Sequence, residues 1–136
     1  EIEEANELRQ MAIWVGLGFQ IWDDYLDATA SAEILGKPSG SDIRQGKRTL
    51  LVIEALNRTN NEDRKELINI LDDSKNTDDD VKRAVNIMSD CGALDNCREQ
   101  ALGYLNGAKK TIAKYPESGA RTMLEELLEY MVTRGH

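Results

Sequence analysis

Three aspartates are the residues whose types and spacing could do chemistry in this sequence: Asp23, Asp24 and Asp27. Residues three and four apart share one face of a helix, so the pattern gathers three carboxylates, and Gln20 extends their face by one turn. Their mutual repulsion, the apolar residues between them and the helix dipole all disfavour the charge. A divalent cation would relieve these costs, and magnesium prefers carboxylate oxygens while sharing itself with substrate phosphates. Taken alone, the pattern more often marks only the solvated tip of a helix.

A segment rich in glycine and lysine follows the aspartates. It contains Gly36–Asp42 and then Gly46 and Lys47. Glycine lets a backbone approach a ligand closely, and lysine ammonium groups suit phosphate oxygens. The spacing is not that of a P-loop, and no strand precedes it. Joined to the aspartates, this segment predicts a site for a metal and a phosphorylated substrate.

The helix that must position the aspartates is predicted from about Glu3 to about Asp27. Its apolar residues recur at steps of three and four over a wide surface, which predicts burial on most sides. Gly16 and Gly18 lie inside it, where each costs about 1 kcal/mol relative to alanine. We therefore expect another part of the protein to approach that backbone closely.

Further helical patterns cover most of the remaining chain, and no strand pattern competes with them. Leu35–Ile43 is predicted as a loop. The predicted helices run from about Lys47 to Asn57, from a cap at Asn60 or Asn61, from Thr77, from about Ala93 through Ile112, and after Pro116 and Gly119. The sequence thus predicts an all-α protein, an open helical bundle in which residues 1–136 form one unit.

Two other acidic groups have simpler explanations. The run that begins at Asp72 lacks the glycine and the glutamate of a calcium-binding EF-hand loop. Asp78, Asp79 and Asp80 follow Thr77 and fit the start of a helix, where the dipole favours negative charge.

Charge and composition exclude several functional classes. The net charge of −8 argues against nucleic-acid binding, and the absence of a run of about twenty apolar residues argues against a transmembrane segment.

Cys91 and Cys97 form no CxxC pair and accompany a single histidine, which argues against zinc. We interpret them as reduced, half-buried thiols of a cytoplasmic protein. A chain that opens at Glu1, inside an apparent helix, also indicates a processed or truncated product.

The ordered series of Gly18, Phe19, Gln20, the three aspartates, residues 36–42 and Gly46-Lys47 resembles the trans-isoprenyl diphosphate synthases, the polyprenyl synthetase family that includes farnesyl and geranylgeranyl diphosphate synthases. The resemblance implies a prenyltransferase of isoprenoid biosynthesis. Such enzymes ionise an allylic diphosphate with the help of three Mg²⁺ ions, and the carbocation alkylates isopentenyl diphosphate before a proton is lost. It also implies a homodimer. Farnesyl, geranylgeranyl and longer products stay open.

The resemblance also implies a role for each matching residue. Asp23, Lys37 and Lys47 would be catalytic, with both lysines neutralising the substrate diphosphate. Asp23 would ligate magnesium directly, Asp24 would support it through water, and Asp27 would complete or orient the metal shell. Phe19 and Gln20 would line the substrate cavity, and Asp42 would orient Lys37 or nearby waters from outside the metal shell.

Departures from the family pattern limit what this chain can do. It has one aspartate-rich motif where the family has two on facing helices, and it lacks the upstream arginines and the Lys-Thr pair. The resemblance therefore covers the C-terminal third to half of such an enzyme, with residues 23–27 as its second motif. We expect an incomplete fragment that is inactive alone. A non-catalytic α-helical partner subunit and an interaction module with an incidental acidic end are the alternatives.

Overall fold

Eight helices follow one another along residues 1–134, which this computed structural model describes, apart from the side chain of Ala32. No strand occurs among these residues, and the predicted all-α class is confirmed. The helices are α1 (Ile2–Thr29), α2 (Ala32–Leu35), α3 (Ser41–Arg44), α4 (Leu50–Arg58), α5 (Asn61–Asp72), α6 (Asp78–Asp90), α7 (Ala93–Ile112) and α8 (Gly119–Thr133).

Local capping fixes where several helices begin. The Asn60 side chain accepts a hydrogen bond from the N–H of Asp63, at 2.9 Å, and starts α5. Thr77 and Asp80 form a reciprocal capping box at α6, as the acidic run predicted. The prediction of one uninterrupted loop over Leu35–Ile43 was wrong, because α2 ends and α3 begins inside it. Both are single turns, which leave little periodic signal in a sequence, and α3 is held by tertiary contacts.

The packing of α1 against α7 determines where the aspartates lie. At Gly18 an added Cβ would stand 2.8 Å from Cγ of Leu105 and 3.1 Å from the carbonyl oxygen of Ala101, so the close approach expected here is present. At Gly16 an added Cβ would meet nothing within 4 Å, and the same expectation was wrong. Trp22, on the α7 side of the helix, is almost completely buried. The interface thereby fixes the rotation of α1 about its axis.

The prediction that α1 is buried on most sides was wrong for the described chain. Ile13 and Leu17 are 48% and 44% exposed, and Leu8 is also exposed. Only one side of α1 faces the other helices, and its apolar stripe is wider than that side. The apolar pattern of α1 therefore exceeds what these helices bury.

Two hydrophobic clusters hold the helices together. The larger includes Trp22 and Leu26 of α1 with residues of α3 to α7, and the smaller joins Met11, Leu105 and Leu128.

Cys91 is half-buried and free as predicted, whereas Cys97 is free but fully buried. Burial raises the pKa of the Cys97 thiol to about 11. Among the described residues, none of the helices has the length and hydropathy needed to cross a membrane.

Candidate functional site

Asp27 is the point where the end of α1 binds the segment that follows. Its side chain is 4% exposed. Oδ1 accepts hydrogen bonds from the Ser41 hydroxyl at 2.6 Å and from Lys37 Nζ at 3.1 Å, and Oδ2 accepts one from the Asp42 N–H at 3.0 Å. Burial opposes the ionised carboxylate, but these donors outweigh it and lower the pKa of Asp27. Both carboxylate oxygens are thus engaged with the protein.

The main chain reinforces this connection. The Gly40 N–H donates to the Asp27 carbonyl at 2.7 Å, and the left-handed Gly40, with φ 74°, starts α3. A side chain at Gly40 would collide with Val81 of α6, so only glycine fits both the backbone angle and the space. The segment is therefore shaped by tertiary contacts at its glycines.

Ion pairs and an amide attach the same segment to α5 and α6. Arg44 pairs with Asp78, and Arg48 pairs with Asp72. The Asn76 side chain donates to the carbonyls of Ile43 and Ile70, at 3.4 Å and 3.1 Å. These contacts restrict the backbone on both sides of the lysines.

The two lysines have different carboxylate partners. Lys37 lies against Asp27, and Lys47 Nζ donates to Asp42 at 2.9 Å. The Asp42 carboxylate accepts a hydrogen bond from Lys47, and its expected role toward Lys37 or nearby waters stays a prediction. Hydrogen bonding and charge attraction raise the pKa of both lysines, so both stay protonated at neutral pH. Each lysine side chain remains half exposed, with room for a second anionic partner.

Asp24 is half-buried beside Gln20, whose side-chain amide donates to Oδ1 at 3.0 Å. Burial raises the pKa of Asp24, the hydrogen bond from Gln20 opposes that shift, and the charges of Asp42 and Asp23 add to it. A carboxylate whose charge is disfavoured in this way gains more than an exposed one from a nearby cation. The spacing placed Gln20 on the face of the aspartates, and its hydrogen bond to Asp24 agrees with that placement, whereas its expected role in lining a substrate cavity stays a prediction.

Asp23 has a partner that the sequence did not reveal. Nη2 of Arg134, just beyond α8, donates to Asp23 Oδ1 at 3.1 Å, although 111 positions separate the two residues. The same guanidinium lies 4.4 Å from the centre of the Phe19 ring. Ser41, which binds Asp27, was also missed. A serine just after a positive-φ glycine is the signal that could have suggested it, whereas nothing local indicates Arg134.

The structure brings the predicted residues to one end of α1 but does not group the three aspartates. Asp23 is exposed, Asp24 is half-buried, and Asp27 is turned into the following segment. Within residues 1–134, no three acidic, histidine or cysteine side chains are arranged to hold a metal. Two carboxylates, Asp23 and Asp24, have the chemistry for one wall of a magnesium site. Magnesium commonly binds one or two carboxylates and completes its shell with water and substrate phosphates.

Grooves elsewhere on the chain do not include these residues. A cavity of about 420 Å³ lies behind the segment, between α3 and α6, and is lined by Pro38, Ser39, Arg44, Val81 and others, but by none of the predicted site residues. The candidate site is thus an open wall at the end of α1.

Comparison with solved structures places the fold among isoprenyl diphosphate synthases. The geranylgeranyl pyrophosphate synthetase of Pyrococcus horikoshii superposes with a TM-score of 0.89 at 36% identity, over 97% of this chain and 40% of that one. The polyprenyl synthase of Caulobacter crescentus, solved with calcium and isoprenyl diphosphate, gives a TM-score of 0.84 at 32% identity, over 100% of this chain and 42% of that one.

Sequence comparison identifies the family. The family model for polyprenyl synthetase matches residues 1–88. A short chain isoprenyl diphosphate synthase of Methanothermobacter thermautotrophicus is 38% identical over 134 residues, which are 98% of this chain and 41% of that protein. A geranylgeranyl pyrophosphate synthase of Geoglobus acetivorans is 40% identical over 135 residues, which are 99% of this chain and 40% of that protein. The chain belongs to the polyprenyl synthetase family and spans about two-fifths of the length of these relatives.

Proposed function

We propose that this chain is the part of a prenyltransferase that contributes the second aspartate-rich wall and two diphosphate-binding lysines. The complete enzyme would join an allylic diphosphate to isopentenyl diphosphate. One observation carries the proposal: Asp27 fixes the segment of Lys37 and Lys47 against the end of α1 that also bears Asp23 and Asp24. Lys47 is close enough to Asp24 for the carboxylate to raise the pKa of the lysine. Cationic and anionic groups thus border one surface, as a metal diphosphate requires.

Two of the three aspartates are proposed as magnesium ligands. Asp23 would ligate directly and Asp24 would act directly or through water. Asp27 would act indirectly, because its oxygens already accept hydrogen bonds from Ser41, Lys37 and Asp42. Magnesium would neutralise charge on the departing diphosphate. The contribution of this chain is to place the Asp23 and Asp24 carboxylates together at the end of α1.

The lysines are proposed to hold the diphosphate as a leaving group. Each is oriented by a carboxylate on one side and remains exposed on the other. When the allylic C–O bond breaks, negative charge accumulates on the diphosphate, and two ammonium groups fixed in advance stabilise it without rearrangement. Phe19 and Gln20 are proposed to border the reacting carbons. The same proposal treats residues 1–136 as one C-terminal unit of a cytoplasmic enzyme that acts as a homodimer.

Substitution of the lysines tests this function in the full-length protein. Lys37→Gln and Lys47→Gln are each expected to lower kcat/KM for labelled isopentenyl diphosphate with an allylic diphosphate by about 10- to 100-fold. This is less than the about 100- to 1,000-fold of a lost oxyanion-hole donor, because each lysine is half exposed. Lys110→Gln, which removes an exposed charge from α7, is the matched control and should stay near the wild-type value. Unchanged kcat/KM in both lysine variants would refute the proposed site.

The 136-residue chain alone should show little or no prenyltransfer. Two proposed carboxylate ligands and two lysines form one wall, and a metal diphosphate requires ligands on more than one side. Incubation of the purified chain with labelled isopentenyl diphosphate, an allylic diphosphate and Mg²⁺ provides the measurement. Robust product formation would contradict the proposal that the chain is only part of the enzyme. A full-length protein that binds but does not turn over these substrates would instead support a non-catalytic partner subunit.

A further inference from the structure

The contact of Arg134 with Asp23 involves the aspartate proposed to ligate magnesium directly. The guanidinium donates to Oδ1 at 3.1 Å and covers the Phe19 ring at 4.4 Å. Arg134 is 22% exposed at its side chain, whereas Asp23 is 52% exposed. A positive group therefore lies on a carboxylate oxygen that a cation would need.

This contact is incompletely satisfied, which makes it replaceable. Nε of Arg134 is buried and has no hydrogen-bond partner among residues 1–134. A buried donor without a partner disfavours the arrangement, while the ion pair and the stacking on Phe19 favour it. Because these contributions oppose each other, the net attraction between Arg134 and Asp23 is weak, and the attraction of a divalent cation to Asp23 can exceed it.

The position of Arg134 relative to α8 determines what its release would affect. The Arg134 N–H donates to the Tyr130 carbonyl at 3.0 Å, so its backbone closes the last turn of α8. Within the described chain, α8 is held by the ion pair of Lys109 with Glu129 and by the smaller hydrophobic cluster, against which Met131 and Val132 of its last turn also pack. The Arg134 side chain reaches from this end of α8 to Asp23 and Phe19. Loss of the ion pair would therefore free the Arg134 side chain and leave α8 itself in place.

We propose that Arg134 is a positioning residue that neutralises Asp23 until a divalent cation displaces it, so that cation binding at the aspartates releases the Arg134 side chain from Phe19. This inference rests on the proposed function, because it requires Asp23 to ligate the cation. Cation binding and the Arg134 contact are therefore linked in free energy. The stability that the Arg134 contact gives the metal-free protein must be lost when the cation binds.

Titration of the full-length protein with Mn²⁺, with free Mn²⁺ followed by electron paramagnetic resonance, tests the competition. Arg134→Gln is expected to bind Mn²⁺ about 3- to 10-fold more tightly than the wild type, the size that an exposed ion pair supports. Arg134→Lys keeps the charge but loses the planar stacking, and should fall between them. Lys110→Gln removes a charge from α7 and should change the affinity by less than about twofold.

Thermal unfolding supplies a second measurement of the same linkage. Without a divalent cation, Arg134→Gln should unfold at a lower temperature than the wild type. At saturating Mg²⁺ the two midpoints should converge, because the contact is absent from both proteins. A midpoint difference that Mg²⁺ leaves unchanged would mean that the contact persists with the cation bound, which overturns the inference.

Asp23→Asn separates failure of this inference from failure of the proposed function. It should weaken Mn²⁺ binding about tenfold or more if Asp23 is a ligand. If it binds like the wild type, the proposed metal role and the Arg134 inference both fail. If it binds weakly while Arg134→Gln equals the wild type, only the inference fails. Weaker binding by Arg134→Gln would also overturn it, since Arg134 would then support the site.

Discussion

At the scale of the residue, the three aspartates of one motif occupy three different environments. Asp27 is buried and accepts three hydrogen bonds, Asp24 is half-buried beside Gln20, and Asp23 is exposed and paired with Arg134. The pKa values of Asp27 and Asp24 shift in opposite directions, since donors lower the pKa of Asp27 while burial raises that of Asp24. One motif thus combines a structural anchor with two carboxylates available to a cation.

Replacement of the anchor tests this division at Asp27. Asp27→Asn should lower the free energy of unfolding of the 136-residue chain by about 2 kcal/mol at pH 7, the range of hydrogen bonds to a charged group. Asp23→Asn, at the exposed position, should cost less than about 1 kcal/mol. Urea denaturation followed by circular dichroism measures both. Equal costs would contradict the anchoring role.

The stability that Asp27 contributes should depend on pH in one direction. Its pKa is lower in the folded chain than in the unfolded chain. The contribution is therefore present above the unfolded-state pKa, about 3.9, and is lost as the pH falls through the folded-state pKa. The gap between wild type and Asp27→Asn should shrink as the pH is lowered below about 4.

At the scale of the element, the contact of α1 with α7 sets which residues of α1 face the site. Gly18 permits the close approach of Leu105 and Ala101, and Gly107 of α7 lies against the Trp14 ring. A rotation of α1 by one residue would move the aspartates by about 100° around the helix axis. The glycine contacts and the buried Trp22 therefore determine the direction of the carboxylates.

Two glycines of α1 provide a matched pair of substitutions. Gly18→Ala should destabilise the chain by about 1–3 kcal/mol, because the added methyl group meets a backbone carbonyl that cannot move aside. Gly16→Ala should stabilise it by up to about 1 kcal/mol, because helix propensity improves and an added Cβ has nothing within 4 Å. The midpoints of urea unfolding give the comparison. A stabilising Gly18→Ala would contradict the packing.

At the scale of the whole molecule, two apolar faces remain exposed in a chain that spans about two-fifths of its relatives. One lies on α1 and includes Ile13 and Leu17, and the other lies on α8 and includes Met123 and Leu127. Contiguous apolar surface of this kind commonly marks an interface. The relatives are longer than this chain, and we propose that a segment equivalent to their unmatched part covers these faces.

Leu17→Gln should therefore behave differently in two proteins. In the 136-residue chain Leu17 is half exposed, so the cost should stay below about 0.5 kcal/mol. In the full-length protein the cost should approach the roughly 2–5 kcal/mol of a truncated core leucine. Chemical denaturation of both proteins gives the two values. A small cost in both would mean that this face stays open.

Much of the fold could be predicted because its signals are local. Periodic apolar residues predicted six long helices, and Asn60 and Thr77 marked two of their starts through caps that involve only neighbouring residues. The short helices α2 and α3 were missed because a single turn leaves little periodic signal. In addition, α3 depends on contacts with distant residues, such as Asp27 with Ser41 and Asn76 with Ile43.

The sequence by itself predicted which residues could carry chemistry, because residue types and spacing within one helix and one following segment are local properties. Tertiary structure alone decided that Asp27 anchors the segment, that Asp42 orients Lys47, and that Arg134 covers Asp23. It also decided that α1 keeps an apolar face exposed. Those pairings depend on where α1, α7 and α8 pack, and the free energy of packing belongs to surfaces that the chain brings together only on folding.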